Sequence, residues 1–409
     1  MNFHLDILAL VQLVAYCGMA ASAVFYVLQL FAAHRFFGAR PKAAPAFRPA
    51  VTVLKPLKGT DADLYQNLVT LCQQQYPTMQ VICGVADPDD SAIAVVQRIQ
   101  REFPDLDIEL VVDGRIYGHN YKVSNLHNMY QRAKHDVIVL ADSDVRVGPE
   151  YLANVVQPLG NPSVGVSTCI YRGVVSGGLP NVVESLVVNA DFAPMVLLAN
   201  ALERTQYAFG ATIAIRRGVL EEIGGFLPIA SHLADDYEIG YRVAARGYTV
   251  EINREVVDTM LGIESWRQLY AHQVRWARTN RFSRPVGYFG SIVTHGTSWA
   301  LLCMIASGFS PLACAGSAAL LVLRLCQAGW TARRYLSAQL SWADLSLLPA
   351  KDVLSTAIWC AAFAGNHVVW GKHRFAVLRS GVMVDLARER PTPLQPAPAD
   401  SPMANESRA

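Results

Sequence analysis

Two aspartates one residue apart, Asp142 and Asp144, follow the apolar run Val137-Ile138-Val139-Leu140-Ala141. Two hard oxygen ligands so placed can hold Mg2+ or Mn2+ against a diphosphate, with Asp144 on the metal and Asp142 on the metal or on a ribose. The plainer reading is a polar turn closing a core strand, and the pair alone does not choose between them. More carboxylates recur in Asp87-Pro88-Asp89-Asp90 and in Asp235-Asp236, where acids in a first helical turn are also ordinary capping chemistry. A basic and aromatic group follows in His272-Gln273-Val274-Arg275-Trp276. A fixed guanidinium there can stabilise the charge that grows on a departing diphosphate. Trp276 can stack on a sugar, a base or lipid, or can pack as a buried anchor. Lys122 is a candidate phosphate contact, with a solvated surface lysine as the alternative.

These residues need a scaffold. Val137–Leu140 reads as a strand buried on both faces, so Asp142 and Asp144 fall just past its C-terminal end, where open α/β sheets place ligands. Similar runs occur at Ala50–Leu54, Val81–Val85 and Ile108–Val112. Helical patterns at about Asp61–Gln75, Ser91–Glu102 and Val123–Ala133 alternate with them. That alternation predicts a parallel sheet built from right-handed crossovers. Beyond it, Val164–Cys169 and Gly210–Ile215 read as strands, and Asp235 opens a helix that Gly247 ends. Val182–Leu202 is helix-like but interrupted by Asp191 and Pro194; its Met195–Leu198 run suits core packing or a membrane surface. No G-x-G-x-x-G or Walker loop occurs, which argues against dinucleotide and P-loop enzymes.

The composition adds a membrane. Of 409 residues, 52% are hydrophobic and 17% charged, against roughly 25% charged in an average soluble chain. The net charge of +2 gives no bias toward nucleic acid. The eight cysteines form no C-x-x-C pair, so neither a disulfide framework nor a zinc site is expected. Ile7–Ala33 carries no charge and exceeds the ~20 residues that span a bilayer. No basic n-region precedes it, while Arg35, Arg40, Lys42 and Arg48 come after it. This predicts an uncleaved anchor whose C-terminal end faces the cytoplasm, joined to the next domain by a linker over Pro41–Pro49. The segment Trp266–Phe282, rich in aromatics and arginine, suits a membrane interface, and a solvated basic helix equally. Apolar stretches at Tyr288–Phe309, Pro311–Leu323 and Leu347–Trp370 predict two or three further membrane helices. Basic clusters after two of them conflict with three full crossings, so one segment is expected to be re-entrant or to lie flat. The proline-rich end reads as disordered.

The set of motifs resembles family 2-type and ceramide glucosyltransferase-type (family 21) glycosyltransferases. Val53-Leu54-Lys55-Pro56-Leu57-Lys58-Gly59 is similar to the ceramide glucosyltransferase opening almost letter for letter. Gly118-His119-Asn120-Tyr121-Lys122-Val123-Ser124-Asn125 resembles that family's Gly-x-Asn-x-Lys-x-x-Asn stretch. Within the family the chain looks most like bacterial hopanoid-biosynthesis glycosyltransferases. The resemblance covers residues 50–285 and the membrane frame. It implies a GT-A fold (a Rossmann-like α/β domain) beside α-helical transmembrane segments. It also implies a UDP-sugar donor, a lipid acceptor, and inversion at the sugar. It puts the general base on Asp236, the second acid of the family's Glu-Asp-Tyr motif, and a uracil or ribose contact on Asp87, with Asp89 and Asp90 as substitutes. It puts His272, Arg275 and Trp276 on the Gln- or Arg-x-x-Arg-Trp motif. His272 departs from that motif, but an imidazole can still donate to a phosphate. Many lipid glucosyltransferases of this kind lack the second acid of Asp-x-Asp; Asp144 supplies it here.

The resulting expectation is a multi-pass inner-membrane glycosyltransferase with a cytoplasmic active site. It has an anchor at 1–35, a catalytic domain at 50–285, membrane helices at 286–385 and a tail at 386–409. It moves N-acetylglucosamine, or else glucose, from UDP to a lipid hydroxyl. A hopanoid polyol is the favoured acceptor and a sphingolipid the alternative. A processive polysaccharide synthase is disfavoured by the few membrane helices and by His272. A non-catalytic nucleotide-sugar-binding scaffold is disfavoured because the acids are all present.

Overall fold

In the computed structural model, which describes residues 2–39, 46–60, 63–370 and 373–386, the first four apolar runs are strands. They are β1 (Val51–Pro56), β2 (Met79–Val85), β3 (Asp107–Val112) and β4 (Val137–Leu140). They pair in parallel in the order β3-β2-β1-β4. Side chains alternate across the pleat, and here both faces are covered. Val53, Val81 and Val139 pack under the helices Leu64–Cys72 and Ala92–Glu102, while Leu54, Ile82 and Ile138 pack on the opposite face against the helix Tyr121–Tyr130. The crossovers are therefore as the sequence predicts.

The second half of the sheet is mixed. It adds β5 (Val145–Arg146), β6 (Val164–Val174), β7 (Ile213–Arg216) and β8 (Thr249–Met260), in the order β4-β7-β6-β8-β5. β7 runs antiparallel to both β4 and β6, β5 antiparallel to β8, and β6 and β8 are parallel. β8 was not expected. Its run Glu251-Ile252-Asn253-Arg254-Glu255 is largely polar and half-exposed, so it lacks the apolar signal of a core strand.

Among the described residues, three helical stretches are long and apolar enough to cross a membrane: Ile7–Gly38, Leu179–Leu202 and Pro311–Tyr335. The second does not break at Asp191; it continues through a π-helical turn at Val188–Phe192 and is largely buried within the protein. The predicted span Tyr288–Phe309 is a bent pair, Pro285–Thr294 and Gly296–Ala306, with 56° between its halves. The bend has an identifiable cause. Ser22 and Tyr26 of the first helix donate to the carbonyls of Val293 (2.7 Å) and Thr294 (2.9 Å), which the broken ladder frees. The predicted span Leu347–Trp370 is not one helix. The helix Leu348–Phe363 stops before Gly365 (φ 111°), and β9 (His367–Trp370), β10 (His373–Val377) and β11 (Met383–Asp385) then form a small antiparallel sheet. Arg40, Lys42 and the whole proline-rich tail from Pro391 onward lie outside the described residues. The eight cysteines are free thiols, of which Cys72, Cys83, Cys169 and Cys303 are buried and Cys17, Cys326 and Cys360 exposed.

The small sheet fastens the loop that leads to Asp235. Leu233 N donates to Gly381 O (3.0 Å), Met383 N to Ser231 O (2.7 Å), and Leu233 packs with Phe375 and Met383. The helix Trp266–Ser283 holds the chain before that sheet. Arg278 donates to the carbonyls of His367 and Ala364, and Arg281 to that of Gly365. Much of the basic character of this helix thus serves internal carbonyls, while Trp266 and Tyr270 remain half-exposed.

Candidate active site

Register explains why the acids meet. β7 is antiparallel to β4 with Leu140 opposite Ile213, so the residues entering β7 stand beside those leaving β4. Gly210 therefore abuts Asp142. A Cβ on Gly210 would lie 3.1 Å from Asp142 Oδ2, 3.3 Å from Lys122 Nζ and 3.5 Å from Asp236 Oδ2. Three groups predicted from distant motifs thus surround one point, which a side chain would crowd. Sequence reasoning placed Gly210 only as the start of a strand.

Lys122 is the hub of this cluster. Its Nζ lies 2.6 Å from Asp142 Oδ1 and 3.3 Å from Asp235 Oδ2. The Asn120 side chain caps the helix that carries Lys122 by accepting from Val123 N, and its amide donates to Asp235 Oδ1. Burial disfavours the Lys122 ammonium, but Asp142, Asp235 and Asp236 outweigh that and raise its pKa. Lys122 is a fixed cation within the acid cluster rather than a solvated surface lysine.

Asp236 accepts from two backbone donors, Gly210 N to Oδ2 (2.9 Å) and Tyr237 N to Oδ1 (2.7 Å). Burial and the neighbouring Asp235 carboxylate nevertheless push its pKa up to about 6, against the pull of Lys122. Asp144 is likewise pushed up to about 6, by burial and by Asp142. Its backbone carbonyl accepts from Met260 N (2.9 Å), tying the turn to the end of β8. Beneath it, the fully buried Lys55 donates to Val145 O (3.1 Å); burial pulls this ammonium down to about 8, and Asp144 holds it up.

His272, Arg275 and Trp276 share a face of their helix. His272 Nδ1 lies 2.9 Å from Glu184 Oε1, and Gln273 Nε2 donates to Glu184 Oε2 (2.7 Å). Glu184 is fully buried, and sequence reasoning missed it. The available signal was a charged residue in an otherwise apolar helix: within 179–202, Glu184 and Asp191 are the sole charges. Trp276 packs against His272 with ring centroids 4.7 Å apart. Arg275 forms no ion pair with another described residue. Burial lowers its pKa, which Glu184, Asp235 and Asp236 oppose.

Asp87 stands apart from this cluster, exposed at the rim. Its Oδ1 accepts from Asp89 N (2.9 Å). Asp90 is committed to structure: its carboxylate accepts from Gly59 N (2.9 Å) and Ala92 N (2.8 Å). One cavity of about 1990 Å³ joins the cluster to the apolar helices, and Asp87, Asp142, Asp144, Asp236, Arg275 and Trp276 all line it. Among the described residues no three His, Cys, Asp or Glu side chains gather as a ready metal cage. Asp142 and Asp144 still fit a hard divalent cation, because they are adjacent carboxylates whose mutual repulsion a cation would relieve.

A mixed sheet with paired acids at the β4 end and a basic helix behind them defines a GT-A-like glycosyltransferase fold. The same fold is seen in the mannosyltransferase PcManGT from Pyrobaculum calidifontis, solved with GDP-Man and Mn2+. The TM-score is 0.56 at 21% sequence identity, covering 86% of this chain and 99% of that one. The family model of glycosyl transferase family 21 matches residues 14–383, and the chain belongs to that family. Curated relatives include ceramide glucosyltransferase 1 of Caenorhabditis elegans, 25% identical over 62% of this chain and 55% of that protein. The ceramide glucosyltransferase of Komagataella phaffii is 30% identical over 34% of this chain and 26% of that protein. The chain thus spans about half, or less, of the length of these relatives.

Proposed function

We propose that this protein is a membrane-embedded glycosyltransferase that moves a sugar from a UDP-sugar to a lipid hydroxyl, with inversion. N-acetylglucosamine is the favoured sugar and a hopanoid polyol the favoured acceptor. Glucose transfer to ceramide fits the same site, and the ceramide glucosyltransferase relatives favour that second reading. The observation that carries the proposal is the meeting of Asp142, Lys122 and Asp236 around Gly210, in a cavity that continues among the apolar helices.

The donor diphosphate lies between the Asp142–Asp144 turn and Arg275, with Asp87 at the nucleoside end. Asp144 and Asp142 would hold Mg2+ or Mn2+, which would supply positive charge to the diphosphate. Asp236 takes the proton of the acceptor hydroxyl. The hydroxyl oxygen bonds to the anomeric carbon as the bond from that carbon to the phosphate oxygen breaks, and UDP leaves with the electron pair. Lys122 fixes Asp142 and, with Asn120, holds Asp235 beside the base. Glu184 orients His272 toward the leaving group, and Arg275 adds fixed positive charge there. Trp276 covers the sugar.

The first helix, the bent pair and Pro311–Tyr335 hold the domain against the cytoplasmic face of the inner membrane. On this reading the anchor is 1–35, the catalytic domain 50–285 and the remaining membrane helices lie within 286–363, ahead of the small sheet β9–β11. An acceptor then reaches Asp236 without leaving lipid. UDP release from purified protein over a grid of UDP-sugars and lipids, with Mn2+ and with EDTA, tests this. Release that requires a lipid polyol or ceramide and is lost with EDTA is expected. UDP release that ignores the lipid would refute lipid transfer.

A further inference from the structure

The far end of the same cavity is polar where an apolar lining would suffice. Asp191, Lys351 and Asp352 line it, together with His295, Thr294 and Ser355. Ionisable groups at membrane depth are costly and mark functional sites. Asp191, Arg324, Lys351 and Asp352 form a balanced quartet of two acids and two bases. Lys351 Nζ lies 2.5 Å from both Asp191 Oδ2 and Asp352 Oδ1. Arg324 pairs with Asp191 and, at 3.1 Å, with Asp352. Bracing three helices would explain such a quartet if it were sealed. It is not: the Asp191 side chain is 26% exposed, against 4%, 1% and 6% for Arg324, Lys351 and Asp352.

Two backbone irregularities open toward this same end. The π-turn at Val188–Phe192 carries Asp191 and leaves the carbonyl of Ala190 to accept from Arg324 (3.0 Å). The bend at His295 places Thr294 and His295 on the cavity wall. π-turns cluster at functional sites, and non-helical backbone at membrane depth survives where it is buried in protein or faces a polar cavity. Ser355 lies one helical turn from Lys351 and forms no hydrogen bond with any described residue. Each Asp191 oxygen serves one cation and keeps a lone pair free. The quartet is neutral as a whole, so it suits uncharged hydrogen-bond donors better than a phosphate.

We propose that this end is a subsite for a second hydrogen-bonding group of the lipid acceptor, a hydroxyl or amide other than the hydroxyl that is glycosylated. Asp191 and Ser355 hold that group. The enzyme therefore selects polyol or amido-alcohol lipids over lipids with a single hydroxyl. This inference rests on the lipid-acceptor reading above.

The test compares a hopanoid polyol, ceramide and 1,2-diacylglycerol as acceptors, using the full chain in detergent micelles. Wild type should prefer the first or second over diacylglycerol at least tenfold in kcat/KM. Asp191→Asn should raise the KM of the preferred lipid about tenfold and Ser355→Ala about threefold. The KM of the UDP-sugar should hold within twofold, and the preference over diacylglycerol should shrink. Should Asp191→Asn fail to fold, Ser355→Ala decides, since its hydroxyl braces nothing. Equal use of diacylglycerol by wild type would overturn the subsite while leaving lipid transfer intact. So would a Ser355→Ala protein with unchanged acceptor KM. Wild type that transfers to none of the three lipids would overturn the parent reading and this one with it.

Discussion

At the scale of single residues, the site is a set of carboxylates held in different electrostatic states. Asp236 is satisfied by two backbone donors yet stays basic enough to take a proton, because it is buried beside Asp235. Asp236→Asn keeps the shape and removes the base. It should lower kcat at least ~100-fold, within the range of general-base contributions, while the Kd for UDP-sugar, measured by calorimetry, changes less than about threefold. A turnover near that of wild type would end the assignment. A base must be unprotonated, so kcat/KM should fall as pH drops through about 6, the value to which both Asp236 and Asp144 are raised. At low Mn2+ both groups contribute and the acid limb should approach a slope of about two. Saturating Mn2+ competes with protons on Asp144, so the slope should fall toward about one with Asp236 alone near pH 6. A slope indifferent to Mn2+ would remove Asp144 from the metal site. Asp142, Asp144, Lys122 and Arg275 were candidates by residue type and motif spacing and Asp236 by the family resemblance, and the structure brings Asp142, Lys122 and Asp236 together. Gly210 and Glu184 were not candidates, because one matters through antiparallel register and the other through burial against a distant helix.

At the scale of elements, the helix Trp266–Ser283 works in two directions. One face presents His272, Arg275 and Trp276 to the cavity; Arg278 and Arg281 grip the chain entering β9. The small sheet in turn holds the loop before Asp235. Phe375 is fully buried in that sheet. Phe375→Ala should cost on the order of 3–5 kcal/mol locally and should loosen the 231–234 loop. The expected result is faster limited proteolysis in the C-terminal region and a kcat reduced at least ~10-fold, with the rest of the domain intact. Unchanged proteolysis and kcat would show that the sheet is a bystander to the site. Strands β1, β2 and β4 were readable because both faces are largely apolar, and the edge strand β3 from Ile108, Leu110 and Val112 although its other face carries Asp107 and Glu109. β8 and the C-terminal sheet escaped because their strands mix polar and apolar residues, and Leu347–Trp370 looked like a membrane span because composition does not show where a helix stops.

At the scale of the whole molecule, the first helix is part of the structure rather than a detachable tether. Gly18 admits the Trp299 ring so closely that a Cβ would stand 2.3 Å from Trp299 Cδ2, and Tyr26 and Ala33 are buried. Gly18→Ala must push the first helix away from Gly296–Ala306, an overpacking that costs about 1–3 kcal/mol. Thermal unfolding in detergent should show a lower Tm, and acceptor KM should rise because the cavity wall moves. A Tm equal to wild type would show that the two helices are not packed as described. The apolar first helix was readable from its length and missing charges, whereas its packing against helices far along the chain was not.

The contacts of Ser22 and Tyr26 with the bend also bear on how the protein is made. Ser22 precedes the Val293 carbonyl it serves by 271 residues, and Tyr26 precedes Thr294 by 268. At ~5–20 residues per second of synthesis, the first helix waits in lipid for roughly 13–54 s before its partner emerges. Ser22 can bond Gly18 O of its own helix meanwhile (2.8 Å). The bent pair has no such reserve, since its freed carbonyls have no water to turn to in hydrocarbon. The order of translation thus sets the order of assembly: the first helix is the template onto which the later, interrupted helix is laid down.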